Sequence, residues 1–142
     1  MGSNMPISAL VQTEIELLHQ FFADWFNGDL PKTEEAYAPF VAALADDFVI
    51  VAPGGKARER VALLQGLWDA HDSQTDIRIW IEAVQLRRVR GDIVWATYEE
   101  WQTIGGNTTG RISTVIFSRQ PEGEPALKWE HVHETWLPGS HG

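Results

Sequence analysis

The sequence predicts an α+β fold in which helices gathered in the first half cover a curved antiparallel sheet built from the second. Two periodicities carry this reading. Apolar residues recur at helical spacing in three stretches up to His71, and from Asp76 the period drops to two and holds to Leu137. Helices that precede a run of strands in this way pack as a layer on the sheet. The composition supplies a third observation: the chain has seven tryptophans in 142 residues, and large aromatics fill cores, line pockets or form interfaces. A sheet curled around the first helix would make a cone with one open mouth.

The first helix is expected over residues 7–27. Leu10, Ile15, Leu18, Phe22, Trp25 and Phe26 share one broad face, and Gly28 is a natural C-terminal stop. Thr33 caps a second helix with Glu34 and Glu35 in its first turn, and Pro39 calls for a kink or a restart inside it. The β-branched run Phe48-Val49-Ile50-Val51 reads as a strand that enters the turn Pro53-Gly54-Gly55. A third helix is expected over residues 57–71, with Val61, Leu64, Leu67, Trp68 and His71 at helical spacing and His71 serving its C-terminal dipole. Strands then follow over residues 77–88, 93–103, 111–119 and 127–137, separated by Gly91-Asp92, Gly105-Gly106-Asn107 and a Pro-Glu-Gly-Glu-Pro loop at 121–125. Such turns favour an antiparallel meander.

This length suits one domain with a real core. Residues 7–138 are taken as that domain, 1–6 as a disordered or cloning-derived leader, and 139–142 as a tail. No apolar run approaches the roughly 20 residues of a membrane span, and no secretory leader is visible, so cytoplasm is the expected compartment. The chain has no cysteine, which removes thiolate nucleophiles and Cys-ligated metals. Lys and Arg number 11 against 20 Asp and Glu, a formal net charge of -9. A field of that sign repels nucleic acid and anionic lipid. The short run Arg87-Arg88-Val89-Arg90 beside Gly91-Asp92 is read as a solvated hairpin end.

The motifs in order resemble the NTF2-like superfamily, a cystatin-like fold, and its SnoaL-like and DUF4440-type members in particular. They are Phe26-Asn27-Gly28-Asp29 at the end of the first helix, Asp46-Asp47-Phe48-Val49 leading to Pro53-Gly54-Gly55, the strand Gly110 to Val115, and a last strand with Trp129, Val132 and His133. The last two strands also resemble the association domain of calcium/calmodulin-dependent kinase II. The resemblance implies a cone with a central cavity and a homodimer formed through the outer face of the sheet. It does not imply one chemistry, because members isomerise, dehydrate, hydrolyse epoxides, or only bind and assemble. The pocket arginines of the kinase domain align with Glu99, Val115 and Trp136, so its ligand role does not carry over.

Two strand parities remain open. In one, the cavity receives Trp95, Thr97, Glu99 and Trp101, then Arg111, Ser113 and Val115, then Val132, Glu134 and Trp136. In the other it receives Ala96, Tyr98 and Glu100, then Ile112, Thr114 and Ile116, then His131 and His133. The first follows the kinase-domain alignment and is favoured, and a single bulge would mix the two. It puts Glu99, Arg111 and Glu134 on three successive strands. Unequal environments could split the two carboxyls into an acid and a base around the guanidinium, or the three could form a structural ion pair. Tyr98 and His133 are the alternatives from the second set. His131 and His133 lack a third ligand fixed by spacing, so no metal is assigned, and no cofactor is expected. Trp25, Tyr37, Trp68, Trp95, Trp101, Ser113 and Trp136 are the candidate ligand-lining residues. The expected ligand is small and largely apolar, with an acidic or carbonyl end. The alternatives are a cofactor-independent lyase, isomerase or hydrolase and a dimeric assembly module.

Overall fold

A computed structural model describes residues 5–140. Helix α1 spans Ile7–Phe26 and helix α2 Glu34–Ala43. Strand β1 (Leu44–Val51), the short strand β2 (Ala57–Glu59) and helix α3 (Arg60–Asp69) follow. The meander is β3 (Arg78–Arg90), β4 (Ile93–Ile104), β5 (Asn107–Arg119) and β6 (Leu127–Trp136). All six strands form one open curved sheet in the order β2-β1-β6-β5-β4-β3. The expected helix over 57–71 begins three residues late, because Ala57 to Glu59 pair with Val49 to Val51 as β2. β1 runs parallel to β6 with Val49 beside His131. The expected leader and tail fall in part on residues 1–4 and 141–142, outside the described residues.

α1 lies across the concave face. Val11, Ile15, Leu18 and Trp25 are fully or almost fully buried, in one core cluster with Phe117, Trp129 and Val132 from the sheet. Trp129 Nε1 donates to Glu14 Oε2 at 2.9 Å, which ties β6 to the helix. The carboxyl of Glu14 is raised by burial, an effect the bond from Trp129 opposes.

At its far end α1 stops at Gly28, whose φ of 75° suits a residue without a Cβ. The backbone amides of Asp72 and Gln74 close its last carbonyls, at Trp25 and Phe26. In α2, Thr33 Oγ1 accepts from the Ala36 amide as a capping hydroxyl should. Pro39 sits within that helix without breaking it.

Candidate active site: a charged chain on an aromatic cavity

Beneath α1 the cone encloses a cavity of about 160 Å³. Phe22, Phe26 and Leu18 come from α1, Phe40 from α2, Phe48 and Ile50 from β1, and Leu63 and Leu67 from α3. The sheet contributes Tyr98, Glu100, Gln102, Arg111, Trp129, Val132 and Glu134. The wall is therefore apolar except along one line of side chains that starts on α1 at His19 and crosses β4, β5 and β6.

His19 opens that line. Its Nδ1 is 2.8 Å from the Ile15 carbonyl and its Nε2 3.1 Å from Glu100 Oε1. A carbonyl only accepts, so Nδ1 carries a proton, and an ionised Glu100 calls for a second proton on Nε2. Both side chains are almost fully buried, at 4% and 6% exposed. Burial alone would lower the His19 pKa, but the charge and hydrogen bond of Glu100 outweigh it and raise the value. Burial likewise works to raise Glu100, yet His19, Arg111 and Gln102 together hold it down at about 2. Gln102 Nε2 donates to Glu100 Oε2 at 2.6 Å, so both carboxylate oxygens are taken.

Glu134 is the opposite case. Arg111 Nη1 reaches its Oε1 at 3.3 Å, and among the described residues no hydrogen bond goes to Oε2. Burial first, then the negative charge of Glu100, push its carboxyl up to about 7 despite Arg111 and His19. The Arg111 guanidinium also lies 4.7 Å from the Trp136 ring centre, a cation–π contact. Tyr98 stands opposite Ser113 on the next strand, and burial drives its phenol well above its ordinary value. Ser113 Oγ is buried without a hydrogen-bond partner among the described residues.

The expected parity is corrected by this arrangement. β5 and β6 present the first set, Arg111, Ser113, Glu134 and Val132, but β4 presents the second, with Ala96, Tyr98 and Glu100 buried inward. Glu99 pairs with Ile112 on the outer face, where its Oε1 accepts from Trp101 Nε1. Trp95 and Trp101 lie on that outer face too, away from the cavity, and Trp101 stacks on Trp80. His133 faces outward beside Thr114 and is exposed. A register shift between Ile116 and Phe117 turns Trp129 inward with Val132, so the strict alternation expected for the last strand fails there.

Trp25, Tyr37 and Trp68 do meet, but outside the cavity. They pack together where the three helices join, with Trp25 Nε1 donating to the Leu67 carbonyl at 2.6 Å and Tyr37 Oη to the Leu64 carbonyl. Tyr37 and Trp68 border a surface groove instead. His71 hydrogen-bonds the Leu30 carbonyl and sits edge-on to Trp25, in place of the expected role at a helix dipole. His19, which the sequence reading passed over, follows Ile15 by four and precedes Phe22 by three on the apolar stripe of α1. A titratable side chain at such a position was the available signal.

A cone of three helices and a curved sheet around a cavity is the NTF2-like, cystatin-like fold, and solved structures agree. An NTF-2 like protein of unknown function, PA1314 from Pseudomonas aeruginosa, superposes with a TM-score of 0.82 at 29% identity, over 90% of this chain and 98% of that one. The CaMKII hub of S. rosetta gives 0.68 at 15% identity, over 96% and 100%. ActVI-ORFA from Streptomyces coelicolor gives 0.64 at 16%, over 92% and 96%. These last two likenesses are of fold alone. By sequence, the chain belongs to the family described as sucrose-6-phosphate phosphohydrolase C-terminal, which matches residues 12–138. It is similar to sucrose-phosphatase 2 of Nicotiana tabacum, 26% identical over 130 residues, which cover 89% of this chain and 31% of that protein. The chain thus spans about a third of the length of such relatives. Among the described residues no helix is long and apolar enough to cross a membrane.

Proposed function

We propose that this chain binds a small, largely apolar molecule in the cone cavity, with the ligand's acidic or carbonyl end on Arg111. One observation carries the reading. Arg111 is the guanidinium in a wall that is apolar apart from the line running from His19 to Glu134, and among the described residues one carboxyl pairs with it, Glu134, at 3.3 Å. A fixed planar donor of that kind suits a carboxylate or carbonyl oxygen. The volume argues for size: a cavity of about 150 Å³ takes benzene, and this one is about 160 Å³. A phosphorylated disaccharide, the substrate class in the name of the longer relatives, far exceeds that space. The experiment is a thermal-shift panel of small carboxylic acids and matched alcohols. The acids should stabilise the wild type selectively and lose their effect in Arg111→Ala, whereas unchanged shifts in that variant would reject Arg111 as the anchor.

A second reading is favoured by the split between the two carboxyls. Glu100 is held as an anion, while Glu134 titrates near neutrality where an acid–base group is most useful. In a cofactor-independent lyase, isomerase or hydrolase, Glu134 would exchange the proton and Arg111 would hold the developing oxyanion. Turnover of a bound carbonyl compound that vanishes in Glu134→Gln, with binding kept, would support this reading; turnover indifferent to that change would reject it.

A further inference from the structure

The charges in the cavity wall restrict how an anion can enter. Glu134 on β6 faces Arg111 from β5, Glu100 and Tyr98 from β4, and His19 from α1. The helices α2 and α3 and strand β1 add only apolar side chains to this wall, Phe40, Leu44, Phe48, Ile50, Leu63 and Leu67. Two cations, His19 and Arg111, therefore stand against two carboxyls, Glu100 and Glu134. With both carboxyls ionised the set is neutral. A carboxylate ligand placed on Arg111 would leave one uncompensated negative charge inside a low-dielectric enclosure, which is costly.

Only one member of the set can relieve that excess. Both oxygens of Glu100 are occupied, by His19 Nε2 and Gln102 Nε2. Glu134 has one oxygen on Arg111 and the other without a hydrogen bond among the described residues. We propose that the site trades charge for charge: a carboxylate ligand binds Arg111 together with uptake of one proton by Glu134, whose Oε2–H then donates to the ligand. The ligand's carboxylate takes over the ion pair that Glu134 gives up. Glu134 remains as a neutral donor beside it, and the count of charges in the cavity does not change. This inference rests on the reading of Arg111 as the anchor, and it makes the domain a binder whose grip weakens as the surroundings turn alkaline. Burial and the Glu100 charge already hold the free Glu134 carboxyl near 7, so the exchange falls in an accessible range.

The test is calorimetric titration of the full chain with benzoate between pH 5.5 and 8.5, repeated in two buffers of different ionisation enthalpy to count protons. Benzoate carries a carboxyl of ordinary acidity, about 4, and stays anionic throughout. One proton should be taken up per benzoate bound above pH 7, with the dissociation constant rising about tenfold per pH unit there. Glu134→Gln, a permanent neutral donor, should lose the proton uptake that the wild type shows on binding benzoate just above pH 7, and the rise in dissociation constant that goes with it. Benzoate binding that needs Arg111 but shows no proton uptake and no pH slope would overturn the exchange and leave the anchor standing. Binding that survives Arg111→Ala, or benzoate bound by neither protein at any pH, would overturn both.

Discussion

Glu134 and Glu100 are buried side chains of the same kind, yet their partners push them in opposite directions, and this has a consequence for stability. A carboxyl whose folded pKa is raised binds its proton more tightly in the folded state. From the ordinary 4.5 up to about 7, Glu134 therefore makes stability fall as pH rises. His19 is raised as well, so its contribution is complete below 6.5 and is lost as pH climbs through its folded value. Glu100, held at about 2, contributes fully above 4.5 and loses that contribution as pH falls through about 2. Urea midpoints should accordingly peak on the mildly acid side and decline toward pH 8. In Glu134→Gln the decline between 4.5 and 7 should flatten, and an unchanged curve would remove Glu134 as its source. The His19–Glu100 pair permits a second prediction. Breaking a buried pair by deleting one partner costs about 3–5 kcal/mol, so Glu100→Ala should lose about that much in denaturant unfolding. By NMR, the imidazole of His19 should then titrate below 6.5, since burial, which lowers it, has lost its main opponent.

At the scale of elements, the turns decide which side chains reach the cavity. Gly28 ends α1 in a left-handed conformation, and a Cβ there would come within 2.6 Å of Asp72 Oδ1. Gly28→Ala should cost about 1–2 kcal/mol for the conformation alone, read as a shift in urea midpoint. Gly54→Ala, where a Cβ would meet nothing within 4 Å, should leave the midpoint in place and serves as the control. The order of helices and strands was legible because the hydrophobic period changes once and cleanly. The parity of β4 is legible in the turn, and not in the likeness to the kinase association domain. Gly105 and Gly106, both with positive φ, form a two-residue hairpin loop, so Ile104 must pair with Asn107. Counting back from that pair sets Glu100, not Glu99, opposite Arg111. Two features stayed hidden. The pairing of β2 with β1 depends on three residues that read equally well as the start of a helix. The parallel contact of β1 with β6 joins segments some eighty positions apart, and local period carries no trace of it.

At the scale of the whole molecule, the sheet has a cavity face and an outer face, and they are separable because strand alternation sends successive side chains to opposite faces. The outer face carries Trp95 and Ile112, 46% and 41% exposed, together with the stacked Trp80 and Trp101. Exposed large apolar groups gathered on one face mark a contact surface more often than a monomer's ordinary exterior. We therefore expect a homodimer through this face, with light scattering giving twice the chain mass of 16.0 kDa. Ile112→Arg puts a charge at the centre of that face and should halve the measured mass. The same variant leaves the cavity side of β5, where Arg111 and Ser113 point, untouched. Its response to small acids in the thermal-shift panel should therefore match that of the wild type. A wild type already monomeric at micromolar concentration would reject the assembly role of the sheet. A monomeric Ile112→Arg protein that no longer responds to acids would show instead that the cavity needs its neighbour, tying together two surfaces that the fold holds on opposite sides of one sheet.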